Sequence, residues 1–394
     1  MEQWKEYKIE DICEQIFAGG DAAKYNSSKH QTALYNIPIY ANSTEKEGLY
    51  GYCDKAIVLS PAVTIAARGA GIGFVAFRNK PFVPIVRLIT LITNNSVDTK
   101  FLYYYLKNRR LSGDGSAIPQ ITVPMVKKEV VTIPALEEQK RIADILSSLD
   151  AKIELNRRIN DNLEQQAQAL FKSWFVDFEP FKDGKFVESE IGMIPEGWKV
   201  GKLEDIADVV GGGTPSKANA LYFDKQCIPW ITPKDLSIKK TKFISKGEID
   251  ITEEGYKNSS AKKIPLGSVL FSSRAPIGYI SIAENELTTN QGFKSVVPVK
   301  AGTSFLYLYL KANTKAIEAQ ATGSTFKEAS GSLMKSLCVI IPPDTVFDSF
   351  ERNAFPFFSA QANVEREIVN LSKARDTLLP RLMSGELKIN DLNC

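Results

Sequence analysis

The chain has 394 residues, of which 44% are hydrophobic and 24% are charged, an ordinary globular composition that disfavours disorder and allows two or three domains with their own cores. Residues 1–11 are charged, and no run approaches the roughly 18 apolar residues of a membrane helix, so we expect a cytoplasmic protein that does not associate with membranes. A net charge of +3 permits nucleic-acid binding without requiring it.

Residues that commonly hold metals or carry catalysis are sparse. The single histidine, His30, is expected at the surface, and its isolation disfavours catalytic pairs that depend on histidine. The five cysteines lie far apart without a C-x-x-C pair, which argues against both a zinc site and a disulfide framework. We therefore predict no metal site and five reduced thiols, at Cys13, Cys53, Cys227, Cys338 and Cys394.

The second half of the chain repeats the first. The string "WKEYKIEDI" at Trp4 returns as "WKVGKLEDI" at Trp198, and "FLYYYLK" at Phe101 returns as "FLYLYLK" at Phe305. These matches predict a duplicated unit of about 200 residues. Because solenoids usually need three or more repeats, two copies suggest a binding unit for a two-part target. A duplication without functional meaning is the alternative.

Each copy combines a globular portion with a helix. Short β-branched and aromatic runs, Gly/Pro/Asn turns and helical patterns such as "TKFLYYYLKNRR" from Thr99 predict an α+β fold for the globular portions. We place these portions at residues 1–134 and 181–342, and the helical segments at residues 135–180 and 343–394.

In both helical segments, seam positions recur in alternating steps of four and three, as in a coiled coil. The first seam comprises Ile142, Leu146, Leu149, Ile153, Asn156, Asn160, Leu163, Ala167, Leu170 and Trp174. The second comprises Phe350, Ala354, Phe357, Gln361, Val364, Ile368, Leu371, Arg375, Leu378 and Leu382. The two helices are expected to pack on each other, with Asn156 and Asn160 fixing the register. Pro356 should kink the second helix or delay its start.

The chain lacks several common nucleotide-binding and catalytic motifs. The glycine-rich string "VVGGGTPSKAN" from Val209 lacks the G-K-[ST] of a phosphate loop. No N-P-P-[YF], D-P-P-[YF] or G-x-S-x-G string occurs either. Two interpretations of the glycine-rich string stay open. It is a plain tight turn, or it approaches a DNA phosphate with Thr214, Ser216 and Lys217 as donors.

Basic and amide side chains of the globular portions are the remaining candidates, because Arg and Lys pair with guanine or phosphate, and Asn and Gln with adenine. The predicted DNA-binding residues are Lys24, Lys29, Arg68, Arg78, Lys80, Arg109 and Arg110 in the first portion and Thr214, Ser216, Lys217, Lys234, Arg274, Asn290, Gln291, Lys294, Ser324 and Lys327 in the second. Further basic candidates are Lys107, Lys239, Lys240 and Lys242. Arg68 and Arg274 are favoured because they recur at equivalent positions beside glycines. Their alternative is a salt bridge common to both domains.

An aromatic cluster follows the first seam. We predict that it packs inside the molecule, and docking of a partner subunit is the alternative. Its members are Phe171, Trp174, Phe175, Phe178 and Phe181.

Over essentially its whole length, the chain resembles the DNA-specificity (S) subunit of type I restriction-modification systems. The strings that carry the resemblance are "IPALEEQKRIADILSSLDAKIELNRRI" from Ile133, "ALFKSWFVDFEPF" from Ala169, "WKVGKLEDIADVVGGGTPSK" from Trp198 and "ARDTLLPRLMSGELKI" from Ala374. The resemblance implies two target-recognition domains, each reading one half of a bipartite asymmetric DNA site. It also implies an internal pseudo-two-fold repeat whose helices pack as an antiparallel coiled coil.

The resemblance further implies partners. The helices would bind two modification (methyltransferase) subunits, and restriction (translocase/nuclease) subunits would join that core on double-stranded DNA. S-adenosylmethionine, ATP and Mg²⁺ would belong to those partners, and this chain would hold no cofactor and no catalytic residue. A seam of about 48 Å corresponds to about 14 base pairs, so we expect half-site centres about one helical turn or slightly more apart. The rival interpretations are a stand-alone nuclease and a protein scaffold that ignores DNA.

Overall fold

The computed structural model describes residues 4–109, 111, 113, 119–274, 276–323 and 327–389. Two predicted DNA contacts, Arg110 and Ser324, lie outside these residues. The helices are α1 (Thr99–Arg109), α2 (Val123–Lys128), α3 (Leu136–Phe175), α4 (Pro233–Lys239), α5 (Glu253–Lys257), α6 (Thr303–Gln320), α7 (Gly331–Lys335) and α8 (Asp344–Met383). Within the described part of the chain, no helix has the length and apolar character needed to cross a membrane.

The chain divides into two compact units. The first unit contains Met1–Glu154 and Val369–Cys394, and the second contains Leu155–Ile368. This division assigns part of α3 and part of α8 to each unit, whereas the four predicted segments set both helices apart from the globular portions.

The first unit contains ten strands. They are β1 (Lys5–Lys8), β2 (Cys13–Ala18), β3 (Ser27–Ser28), β4 (Ile37–Tyr40), β5 (Leu49–Cys53), β6 (Ala62–Ile65), β7 (Val75–Arg78), β8 (Val83–Pro84), β9 (Ile89–Thr93) and β10 (Val130–Ile133) among the described residues. They form sheets of order β2-β9-β6-β7, β3-β5-β4-β8 and β1-β10, antiparallel except for β4 with β8. Helix α1 packs on β6 and β7, and burial of its apolar side chains closes the core.

The second unit contains the remaining strands of the described chain. They are β11 (Phe186–Ser189), β12 (Gly192–Pro195), β13 (Lys199–Lys202), β14 (Ala207–Gly211), β15 (Phe223–Asp224), β16 (Ile228–Ile231), β17 (Phe243–Ile244), β18 (Asp250–Ile251), β19 (Val269–Phe271), β20 (Ile280–Ala283), β21 (Thr288–Thr289), β22 (Lys294–Pro298) and β23 (Cys338–Ile341). The sheets have the orders β14-β22-β19-β20-β17, β15-β18-β16-β21, β13-β23 and β11-β12. Helix α6 packs on β19, β20 and β22.

Equivalent elements occur in the same order in both units, which confirms the predicted repeat and the α+β class. Strand β1 pairs antiparallel with β10, as β13 does with β23. The pair β2 and β9 also corresponds in register to the pair β14 and β22. Ala18 lies opposite Ile89 in the first pair, and Gly211 lies opposite Lys294 in the second. Hence positions 83–91 of the first unit correspond to positions 288–296 of the second.

The predicted heptad seams are confirmed, since every seam position of α3 and α8 is buried or half-buried. In the first unit, Asp150 accepts a hydrogen bond from Arg375, and Leu146 shares a core with Leu382. The two helices are therefore antiparallel in this unit, and the second unit shows the same arrangement.

In the second unit, two asparagines of the α3 seam bind carboxylates of α8. Asn156, only 1% exposed, donates through Nδ2 to Glu367 over 2.9 Å, and Asn160 donates to Glu365 over 3.3 Å. As the residue number rises along α3, the partner's number falls along α8, which is the antiparallel order. These paired amides fix one register, as predicted.

Pro356 does not delay the second long helix, which begins at Asp344 and runs through it to Met383. The predicted delay of its start was therefore wrong. Proline removes one backbone N–H and leaves the carbonyl four residues earlier, at Arg352, without its helical partner. Both residues are exposed, so water can hydrate that carbonyl and reduce the cost of the lost hydrogen bond.

The aromatic cluster packs inside the second unit, as predicted. The ring of Phe175 lies 4.8 Å from that of Phe305 and 4.9 Å from that of Phe350. Trp174 and Phe181 make an edge contact at 5.8 Å. The cluster therefore fastens the end of α3 to α6 and α8 within this unit.

Candidate nucleic-acid interface

The turn at residues 290–292 of the second unit joins β21 to β22 and presents two amides. We call it the amide turn. Asn290 donates its backbone N–H to the carbonyl of Ile231 over 3.0 Å, and its Oδ1 accepts from the N–H of Gly292 over 2.9 Å. These bonds fix the backbone of the turn, and Gln291 at its tip is exposed.

The glycine-rich segment at residues 211–217, here the glycine loop, lies beside the amide turn. Gly213 donates its N–H to the Thr289 carbonyl over 2.9 Å and accepts from the Trp230 indole over 3.0 Å. A Cβ at Gly212 or Gly213 would overlap backbone atoms, so internal packing explains these glycines without a phosphate. Thr214 donates through Oγ1 to Oε1 of Gln291.

Arg274 begins a turn that has an equivalent in the first unit. The residue before it, Ser273, is hydrogen-bonded to the amide turn. Ser273 donates its N–H to the Gly292 carbonyl over 2.8 Å, and its own carbonyl accepts from Ala329 over 2.8 Å. Glu328 lies 4.0 Å from Arg274 and 3.1 Å from Lys294. The structure thus brings together six predicted residues, Thr214, Arg274, Asn290, Gln291, Lys294 and Lys327.

Not every member of this group is free to bind DNA. The side chain of Lys294 is 16% exposed and paired with Glu328, so its charge is largely neutralised inside the unit. Ser216, Lys217 and Lys327 are exposed. Lys234, at the start of α4, forms an exposed ion pair with Glu248 at 2.7 Å, a contact that contributes little stability.

Lys242 is excluded from DNA contact because its side chain is only 4% exposed. Its Nζ donates to Glu164 of α3 over 3.0 Å and to Gln361 of α8 over 2.7 Å. Burial lowers the pKa of Lys242 to about 8 against the attraction of Glu164. Burial alone would raise the pKa of Glu164, but Lys242 and Lys311 outweigh it and lower that pKa to about 2. The pair is therefore ionised at neutral pH.

In the first unit, the equivalent turn spans residues 68–73. Gly73, with φ of 78°, donates its N–H to Ala66 over 2.9 Å, and Gly278, with φ of 95°, donates to Ser272 over 2.9 Å. This common geometry supports the pairing of Arg68 with Arg274. Arg68 has no salt bridge among the described residues, so the alternative of an ion pair common to both domains does not hold.

Asn42 connects two turns of the first unit. Its Oδ1 accepts from the backbone N–H of Ala67 over 2.8 Å, and its Nδ2 donates to the carbonyl of Val86. In the second unit, the equivalent segments bond directly, from Ser273 to Gly292. The Asn42 amide therefore lies between the turn that carries Arg68 and the turn at residues 86–87.

Arg78 is not available to DNA, which corrects the prediction. It is 4% exposed, donates through Nε to Thr64 over 3.1 Å and through Nη2 to the Glu47 carbonyl over 2.6 Å. Its guanidinium also lies 3.6 Å from the ring centre of Tyr40. Burial lowers the pKa of Arg78 against the attraction of its partners, but arginine stays charged. Arg78 is thus a structural residue that holds the turn at Glu47.

Of the other described cations of the first unit that were predicted to bind DNA, one is paired within the unit and three are exposed. Arg109 donates to the Val130 carbonyl over 2.6 Å and pairs with Glu129 at 3.1 Å, so it fastens the end of α1 beside β10. Lys24, Lys29 and Lys80 are exposed.

Arg87 is an exposed residue that the sequence analysis missed. It lies in the turn between β8 and β9, at the position that Gly292 occupies in the second unit. The repeat gave no signal there, because the other copy has glycine at this position. In the sequence, only the position of Arg87 between two β-branched runs indicated that it lies in an exposed turn.

Comparison with known proteins identifies the domain type. A model of the type I restriction modification DNA specificity domain matches residues 1–165 and 195–346, well over half of the chain. The chain therefore belongs to the family of type I restriction-modification specificity subunits. Such subunits are non-catalytic components of their systems. Within the described residues, no cluster of three or more His, Cys, Asp or Glu could hold a metal ion.

Full-length relatives show the same similarity. The chain is 29% identical over 365 residues to the type I restriction enzyme MjaIX specificity subunit of Methanocaldococcus jannaschii, covering 86% of this chain and 81% of the relative. It is 28% identical to the HindI specificity subunit of Haemophilus influenzae, covering 98% and 100%. The crystal structure of a type I restriction-modification S subunit from M. genitalium has the same fold, with a TM-score of 0.66, 16% identity and coverage of 97% and 96%.

Proposed function

We propose that each globular domain of this specificity subunit reads one half of a bipartite, asymmetric sequence in double-stranded DNA. The observation that carries the proposal is the duplication of one domain with different chemistry at the same turn. The first copy has Ile85, Val86 and Arg87 where the second has Asn290, Gln291 and Gly292. Side chains with different hydrogen-bonding groups select different bases, so the two half-sites should differ.

The exposed polar groups of both domains support DNA as the ligand. Lys217 and Lys327 in the second unit and Lys24, Lys29 and Lys80 in the first present positive charge to solvent. Each phosphate contact releases counterions, so binding by these domains should weaken steeply as the salt concentration rises. A scaffold that ignores DNA would show no such dependence.

The proposal extends to the helices and to the partners. Each long helix contains 40 residues, or about 60 Å at 1.5 Å per residue, enough for a spacer that sets the distance between half-sites. Helix α3 also exposes Leu155 and Ile159 one turn apart, apolar surface that suits a partner protein. We assign the helices to two methyltransferase subunits, which supply S-adenosylmethionine chemistry. Restriction subunits would then supply the ATP-dependent and Mg²⁺-dependent steps.

The test is to co-express the chain with its modification subunit, methylate genomic DNA and map N6-methyladenine by single-molecule sequencing. The expected result is a bipartite motif with an unread gap. Replacing residues 190–342 with the matching domain of another specificity subunit should change one half only. An active complex without a new bipartite motif would contradict the proposal and favour the scaffold. DNA cleavage by the purified chain with Mg²⁺ alone would favour a nuclease.

A further inference from the structure

We infer that Arg87 is a specificity-determining residue of the first domain and that it reads a guanine in the half-site of that domain. The inference rests on the proposed function and deepens it. Among the described arginines of the first unit, Arg78, Arg109, Arg375 and Arg381 have partners within the unit, and Arg141 also makes an interaction. Only the guanidinium groups of Arg68 and Arg87 have none in that part of the structure.

The backbone at Arg87 is held in a conformation that most side chains avoid. Val86 has φ of 52° and Arg87 has φ of 61°, both in the left-handed region that favours glycine. Two hydrogen bonds hold the pair, from Val86 N–H to Gly20 over 2.8 Å and from Arg87 N–H to Gly19 over 2.9 Å. Such conformations persist only where the surrounding structure enforces them, and they cluster at ligand-binding positions. The turn therefore presents a side chain from a fixed backbone.

The two unpaired arginines are also brought to the same place. Asn42 bonds the backbone of Ala67, next to Arg68, and that of Val86, next to Arg87. The equivalent place in the second domain is the amide turn, whose neighbours include Arg274. Thus each domain presents one common arginine and, beside it, a turn whose chemistry differs between the copies. The common arginine suits a shared phosphate contact, and the variable turn suits base recognition.

The chemistry of the variable turn indicates the base. A guanidinium donates two parallel hydrogen bonds to N7 and O6 of guanine in the major groove, whereas an amide pairs with adenine. Because the backbone of the turn is already fixed, only the side chain of Arg87 has to be ordered on binding, which favours such a two-point contact. We therefore expect a guanine opposite Arg87 and a different base opposite the amide turn.

The test uses the methyltransferase complex and measures methylation rates on duplexes that differ at single base pairs of each half-site. Arg87→Lys keeps the charge but loses the planar pair of donors. It should lower discrimination at one guanine of the first half-site by about tenfold or more and leave the second half-site unchanged. Arg87→Ala should relax the same position. Lys128→Ala, which removes an exposed charge at the end of α2, should change neither half-site.

Three results would overturn the inference. Unchanged discrimination in both Arg87 variants would show that the residue reads no base. Equal weakening on every sequence would make Arg87 a phosphate contact. A first half-site without guanine would contradict the assignment directly. All three presuppose a bipartite motif for the wild-type complex, so absence of that motif would refute the proposed function itself. Unchanged thermal melting of Arg87→Lys would exclude misfolding as the cause of a lost preference.

Discussion

The ammonium of Lys242 and the carboxylate of Glu164 form a buried ion pair, with 3.0 Å between Nζ and Oε2. The pair joins the segment before β17 to α3, and Gln361 of α8 completes the contact. The lysine also lies against the rings of Phe358 and Tyr307, with Nζ 3.3 Å and 4.2 Å from their centres. The segment before β17, α3 and α8 are thus held together by one charged contact within the second unit.

Loss of Glu164 should destabilise the second unit strongly, because it leaves the buried ammonium of Lys242 without its salt-bridge partner, whereas loss of Lys242 leaves Glu164 paired with Lys311 at 2.7 Å. We expect Glu164→Gln to lower the free energy of unfolding by about 3–5 kcal/mol and Lys242→Met to lower it by less. The double variant should lose less than the sum of the two, since it leaves neither charge unpaired. Urea unfolding of all four proteins measures the coupling. Additive effects would show that the ion pair contributes no interaction energy.

Glu164 should also contribute to acid sensitivity. The pKa of Glu164 is about 2 in the folded protein, and its ordinary value is 4.5. As the pH falls, this carboxylate is therefore protonated in the unfolded chain before it is protonated in the folded protein. Between those values the unfolded state therefore holds more protons, and acid lowers the free energy of unfolding. Glu164→Gln should show a weaker loss of stability across this window. Glu188→Gln, an exposed control on β11, should keep the wild-type dependence. Identical profiles for all three would contradict the prediction.

Asn42 should act as a positioning residue for the first domain. Asn42→Ala removes the bonds to Ala67 and Val86 and should lower stability by about 1–3 kcal/mol. We also expect weaker base discrimination in the first half-site alone, measured as methylation rates on single-substitution duplexes. Asn94→Ala is the matched control, because it removes a side-chain bond to the Asp11 carbonyl outside these turns. A loss of stability with unchanged discrimination in Asn42→Ala would make its role purely structural.

The spacer hypothesis predicts that the unread gap follows helix length. Insertion of four residues into both helices, after Glu154 in α3 and after Ile368 in α8, adds about 6 Å to each. The gap should then lengthen by one or two base pairs, because base pairs are spaced by about 3.4 Å. Methylome mapping measures the gap directly. An unchanged gap in a stable, active complex would refute the hypothesis.

Local patterns predicted the architecture better than the interface. The heptad seam is a property of neighbouring residues, so Ile142 to Trp174 could be placed correctly from sequence. The environment of Lys242 could not, because its partner Glu164 lies 78 residues away. For the same reason, Arg78 was predicted to bind DNA although contacts with residues distant in sequence bury it. Charge alone does not reveal which cations are neutralised within the fold.

The last turns of α8 have a consequence for synthesis on the ribosome. Leu379, Leu382 and Met383 belong to the core of the first unit, although they are translated more than 200 residues after its globular portion. The second unit is contiguous, from Leu155 to Ile368, and can fold as soon as it emerges. The domain that is made first is therefore completed last. A nascent chain that stops at Ile368 would carry a finished second unit and a first unit whose core is still open to solvent.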